Sequence, residues 1–143
     1  MRKILPIFAL LMLVSRFDAD ACTNVIITPG ASKDGSSIVS YAADSHQLYG
    51  ELYFTPAARF GAGSSLQIRE WDTQRPLGAI AQVSRTYQTV GNMNQYQLII
   101  AETTWGGRSE LSPEKDAVGI DYGSLIYVTL QRAKTAREAI EII

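Results

Sequence analysis

Cys22 stands directly after Ala19-Asp20-Ala21 and is the one cysteine of the chain. A small residue, any residue and a second small residue form the cleavage site of a secretory signal. A cut after Ala21 makes Cys22 the first residue of the mature chain, with a thiol nucleophile and a free amine on one residue. Thiols titrate near about 8.5 and α-amines near about 7.7–8.0, so both sit close to working pH. The amine can take the thiol proton, directly or through a water, and later deliver it to a leaving nitrogen. Before the cut, the same nitrogen is a peptide amide with no basic lone pair. The pattern points to amide-bond hydrolysis through an acyl-enzyme, enabled by processing.

Such chemistry needs an orienting partner for the base and donors for the oxyanion. Asp44 ends the second predicted strand, where a hairpin would bring it back alongside Cys22. A carboxylate there would hold the ammonium or thiol through a charge-assisted hydrogen bond. A turn or cap aspartate accounts for the same residue. His46 is the one histidine. A Cys–His pair would need a third partner that the sequence does not show, so His46 reads as a surface-loop residue. Glu102, at a predicted strand end, is a candidate receiver of a substrate ammonium, and a solvated glutamate is the plain alternative. The scattered carboxylates lack metal-loop spacing, and Gly61-Ala62-Gly63 lacks the lysine of a phosphate loop. No metal and no cofactor is expected.

The elements that must position these residues follow from pattern. Thr23 to Thr28 is β-branched and apolar and reads as a buried strand. Pro29-Gly30 and Asp34-Gly35 mark a turn, and Ser37 to Ala43 reads as the returning strand. Glu51 to Thr55 reads as a third strand stopped by Pro56, and 61–65 as a loop. Ala79 to Tyr87 and Tyr96 to Thr103 read as a strand pair joined through Gly91-Asn92 and Asn94. Trp105-Gly106-Gly107-Arg108 then reads as a turn. Tyr122, Leu125, Ile126, Thr129, Leu130 and Ala133 recur at helical spacing. Thr135-Ala136-Arg137-Glu138 has capping-box spacing and opens a further helix through Ile140, Ile142 and Ile143. A short helix needs something to pack against. The chain therefore reads as the N-terminal part of a longer protein, with a docked C-terminus as the alternative.

Arg2 and Lys3 precede an apolar run, Ile4 to Val14, and Arg16, Asp18 and Asp20 follow it. This run is shorter than the roughly 20 residues a spanning helix needs, so 1–21 reads as a signal peptide and 22–143 as the mature chain. The expected location is periplasmic or extracellular. Lipid attachment at Cys22 is the rival, as in a lipid-anchored, non-catalytic envelope protein. Lipoprotein signals usually carry a Leu-like residue three before the cysteine, where Ala19 stands here. Of 143 residues, removal of the first 21 leaves 122, enough for one modest core. Of 13 basic and 14 acidic residues, 10 and 12 remain, a net charge of −2. That balance offers no basic surface for nucleic acid or an anionic membrane. No later stretch is long and apolar enough to span a membrane, and a homo-oligomer is compatible with the composition.

Three ordered segments carry a family likeness. Cys22-Thr23-Asn24, Ala31-Ser32-Lys33-Asp34-Gly35-Ser36-Ser37 and Ala43-Asp44-Ser45 resemble the start of the dipeptidase A-type cysteine peptidases. Glu102-Thr103-Thr104-Trp105-Gly106-Gly107-Arg108 and the stretch from Leu130 to Ala139 resemble two further segments. These peptidases are N-terminal-nucleophile hydrolases, related to choloylglycine hydrolases and penicillin V acylase. The resemblance implies an α+β fold of the four-layer αββα sandwich type, of which this chain is the N-terminal part, and hydrolysis of dipeptides. It implies Cys22 as nucleophile and Asp44 as the family aspartate near it. The resemblance also implies that Thr104 falls near the position whose backbone N–H helps build the oxyanion hole in the wider superfamily, and Thr103 fits equally well. Many relatives carry an arginine three residues before the aspartate, where Tyr41 stands here. A neutral phenol cannot favour a thiolate as a cation would. The alternative substrate is an N-acyl amide of the bile-salt or penicillin type.

Overall fold

The computed structural model describes residues 22–43, 50–103, 108, 110 and 119–143. Residues 1–21, read from the sequence as a signal peptide, Asp44 and His46, and most of the turn at 105–108, with Thr104 before it, lie outside these residues. The architecture is mixed α and β: four small antiparallel sheets and two helices among the described residues. No described helix is long and apolar enough to cross a membrane.

The chain opens with the expected hairpin, β1 (Thr23–Ile27) paired with β2 (Ile38–Ala42), with Thr23 opposite Ala42 and Asn24 opposite Tyr41. Asp34 fixes the turn by accepting from Ser36 N at 3.1 Å and Ser36 Oγ at 2.7 Å. These bonds hold its carboxyl below the usual carboxylate range. Side chains alternate across a strand, so Asn24 and Ile26 share a face with Tyr41 and Val39. The run read as a buried strand is largely exposed, on both faces: Val25 is 52% exposed and Ile26, on the Asn24 face, is 71% exposed.

The middle of the chain departs most from the pattern reading. The third strand shrinks to β3 (Phe54–Thr55), and β4 (Ala58–Arg59) follows Pro56. The best-formed unit there is a hairpin of β5 (Ser65–Arg69) and β6 (Pro76–Ala81), closed by a turn with Gln74 at φ +61°. The stretch 79–87 is two strands, the end of β6 and β7 (Arg85–Thr86), rather than one. β8 (Thr89–Val90) and β9 (Met93–Asn94) complete a three-stranded sheet with β3. The expected strand at 96–103 has one bridge, Ile99 to Met93. Asn94 takes its place as organiser. Its Oδ1 accepts from the backbone N–H of Tyr96 and Leu98, and its Nδ2 donates to the carbonyls of Leu130 and Ala133. A buried side chain thus satisfies backbone groups that a strand ladder would have paired.

The helices form as the spacing requires. α1 (Tyr122–Leu130) is capped by Asp121, whose Oδ1 accepts from Ser124 N at 3.2 Å. α2 (Ala136–Ile142) is capped by Thr135, which accepts from Glu138 N at 3.2 Å. The Glu138 carboxylate reaches back to Lys134 N at 2.7 Å, one residue before the cap. The core is two small clusters that α1 joins: Leu98, Leu130, Ala133 and Ala139 on one side, and Ile68, Leu77 and Val128 on the other.

Candidate active site

Cys22 lies one residue before β1, so strand parity places it with Asn24 and Tyr41 on the inward face. The segment 99–103 runs past that face and supplies the partners. Asn24 Nδ2 donates to the Glu102 carbonyl at 2.6 Å, and Thr103 Oγ1 donates to the Cys22 carbonyl at 2.8 Å. These two bonds stitch the hairpin to residues about 80 positions away and fix the Glu102 side chain beside the sulfur. Cys22 Sγ donates to Glu102 Oε1 at 3.3 Å. Tyr41 Oη donates to the same oxygen at 3.0 Å. Asn24 Oδ1 is buried with no hydrogen-bond partner among the described residues.

The electrostatics favour a neutral Tyr41. Burial raises its pKa most, and the hydrogen bond to Glu102 and the charges of Glu102 and Cys22 add to this. A neutral phenol remains a donor and holds the carboxylate in place. A carboxylate is a much weaker base than an amine, so Glu102 is better suited to binding a cation than to taking a thiol proton.

Two hollows meet at this point. Tyr41 is a wall of a cavity of about 310 Å³ that is also lined by Tyr53, Trp71, Tyr122 and Tyr127, with Glu51 and Ile126 among its other walls. Glu102 is a wall of an aliphatic groove of about 470 Å³ with Ile26, Val39, Ile100, Ala139 and Ile140. The Tyr41–Glu102 hydrogen bond lies between them. The cavity's aromatic wall is held tightly. Trp71 packs edge-on to Tyr53 with ring centres 5.4 Å apart and lies 5.7 Å from Tyr127. Trp71 N donates to Asp121 Oδ2 at 2.8 Å, so the α1 cap also anchors this wall. A side chain at Gly123 would meet Trp71 Cγ at 2.6 Å, and glycine is what lets the ring approach the helix. The Tyr127 hydroxyl is hydrogen-bonded to Thr55 Oγ1. Tyr122 donates to Asp72 Oδ1 at 3.0 Å. Burial first, then Asp72 and the charges of Glu102 and Asp121, push its phenol up to about 12.

The model of Peptidase family C69 matches residues 55–143. The chain belongs to this family. At family level this makes it a cysteine peptidase of the dipeptidase A kind. No curated protein and no solved structure matches the chain. Within this C69 peptidase the matched stretch holds Glu102, Trp71 and both helices, while Cys22, Asn24 and Tyr41 precede it.

Of the residues that sequence singles out, the structure brings Cys22, Tyr41 and Glu102 onto one carboxylate oxygen. Thr103 reaches the Cys22 backbone through its hydroxyl. Asp44, Thr104 and His46 lie outside the described residues. Sequence reasoning gave no role to Asn24, which positions Glu102. The signal was available: in a strand starting at Thr23, residues 22 and 24 share a face.

Proposed function

We propose that this chain is the precursor of an exported cysteine dipeptidase of family C69, with 1–21 as a leader removed to expose Cys22. The observation that carries this reading is the contact of Cys22 Sγ with the Glu102 carboxylate, in a chain of this family. The dipeptide's α-ammonium binds Glu102, which places the adjacent carbonyl near the sulfur. Cys22 Sγ forms a bond to the carbonyl carbon as the thiol proton passes to the Cys22 amine. The amine then protonates the leaving nitrogen, the C–N bond breaks, and a thioester remains. Water then adds to the thioester carbonyl, the C–S bond breaks, the acyl group leaves as an amino-acid carboxylate, and the sulfur is reprotonated to the thiol. Asp44 orients the new amine, and the N–H of Thr104 stabilises the oxyanion, roles that rest on the family likeness. The same likeness supports a four-layer αββα N-terminal-nucleophile sandwich as the complete fold.

Cys22→Ala in the full-length protein is expected to abolish dipeptide turnover with the folded far-UV spectrum retained. Undiminished hydrolysis by that variant would overturn the mechanism. A second reading, an N-acyl amide hydrolase, is supported by the aliphatic groove that reaches Glu102. N-acetylation of the dipeptide separates the two: it abolishes turnover if Glu102 binds the ammonium and leaves it intact if the groove binds an acyl chain.

A further inference from the structure

The aromatic cavity has a chemistry that the bond-breaking cluster does not use. Tyr53, Trp71, Tyr122 and Tyr127 present ring surface, and among the described residues that line it there is no lysine, arginine or histidine. Glu51 lines it, and Asp72 is held at its rim by the Tyr122 hydroxyl. Aromatic faces attract cations through their quadrupole, and nearby carboxylates add to the attraction. A volume of about 310 Å³ is far larger than an ammonium ion and suits a whole side chain. One of its walls is Tyr41, whose hydroxyl shares the Glu102 oxygen with Cys22 Sγ.

We propose that this cavity is a specificity pocket for a cationic side chain, of lysine or arginine type, on the N-terminal residue of the substrate. The inference rests on the dipeptidase reading for its placement: an α-ammonium on Glu102 directs that residue's side chain past Tyr41 into the cavity. The distal cation then lies among the rings with Glu51 beside it. Neutral aliphatic side chains of the same length fill the space without the charge interaction. Burial raises the Tyr122 pKa most, and the smaller upward push from Asp72, Glu102 and Asp121 comes from carboxylates that also favour a bound cation.

Calorimetric titration of the full-length Cys22→Ala protein with lysinamide and with norleucinamide isolates the pocket. Both ligands carry the α-ammonium, and they differ in the distal charge. Lysinamide is expected to bind about tenfold more tightly, the scale of a partly desolvated cation–π contact. Glu51→Gln should shrink that ratio, and Glu51→Lys should erase it. Glu51 is exposed, so neither change threatens the fold. Equal affinity for the two ligands, or a preference indifferent to Glu51→Lys, would overturn the pocket. Hydrolysis of neutral dipeptides by the unmutated protein reads the other claim separately. It persists if only the pocket is wrong, and the lysinamide preference persists if only the reaction is wrong.

Discussion

Tyr41 and Glu102 touch through one hydrogen bond, yet the surfaces on its two sides differ in kind. On the Tyr41 side, Trp71 is wedged against Gly123, its backbone is tied to the α1 cap, and Tyr122 and Tyr127 are pinned through their hydroxyls. On the Glu102 side, the groove is aliphatic, and its outer wall includes Ile140, which is 74% exposed. Directional contacts fix a shape and a charge preference, whereas aliphatic walls select only for burial. The comparison teaches that the proposed selectivity would belong to the cavity and tolerance to the groove, with the Cys22–Glu102–Tyr41 cluster at their junction.

The strongest way to break this contrast is to loosen the groove alone. Asn94 pins the Leu98 amide to the end of α1 through its buried amide side chain. Asn94→Ala strands two backbone carbonyls and two N–H groups, and should cost about 3–5 kcal/mol in denaturant unfolding. Hydrogen exchange should quicken at Leu98 and Ile100 more than at Trp71. Uniform quickening would deny that the two sides are separately supported.

A smaller change disturbs the cavity instead. Gly123→Ala places a methyl against the Trp71 ring, and the ring must move. Alanine gains up to about 1 kcal/mol of helix propensity, but overpacking should leave a net loss of about 1–3 kcal/mol. Lysinamide affinity should fall with it, while the melting of the groove side keeps its midpoint.

The smallest effect is one of pH. The Tyr122 phenol titrates near about 12 in the folded chain against an ordinary 10. The folded chain therefore holds that proton more tightly than the unfolded one. The associated stability is complete below about 10 and is lost as pH rises towards about 12. Absorbance of tyrosinate should show late titration, and Tyr122→Phe should remove one late step.

Much of the site's support was legible in the residues. The β-branched run from Thr23 with its Pro-Gly and Asp-Gly turns specified the first hairpin, and Thr135 with Glu138 specified the second helix start. The middle was not legible, for local reasons. Gln74 and Gln97 adopt φ +61° and +63°, and glutamine carries no signal for that conformation as glycine or asparagine would. Leu66 and Ile68 alternating with Gln67 and Arg69 did mark β5, and that period-two pattern was the missed clue. The stretch 96–103 looked like a strand from its apolar content, but Asn94 captures its backbone. The approach of Glu102 to Cys22 depends on packing between distant segments, which no periodicity encodes.

The most direct test is to express the full-length protein, treat the purified product with an aminoacyl chloromethyl ketone and map the adduct by mass spectrometry. The account predicts a single alkyl group on the sulfur of a peptide whose first residue is Cys22, blocked by competing dipeptide. A peptide that still begins upstream of Cys22, or a label on any other residue, would contradict it.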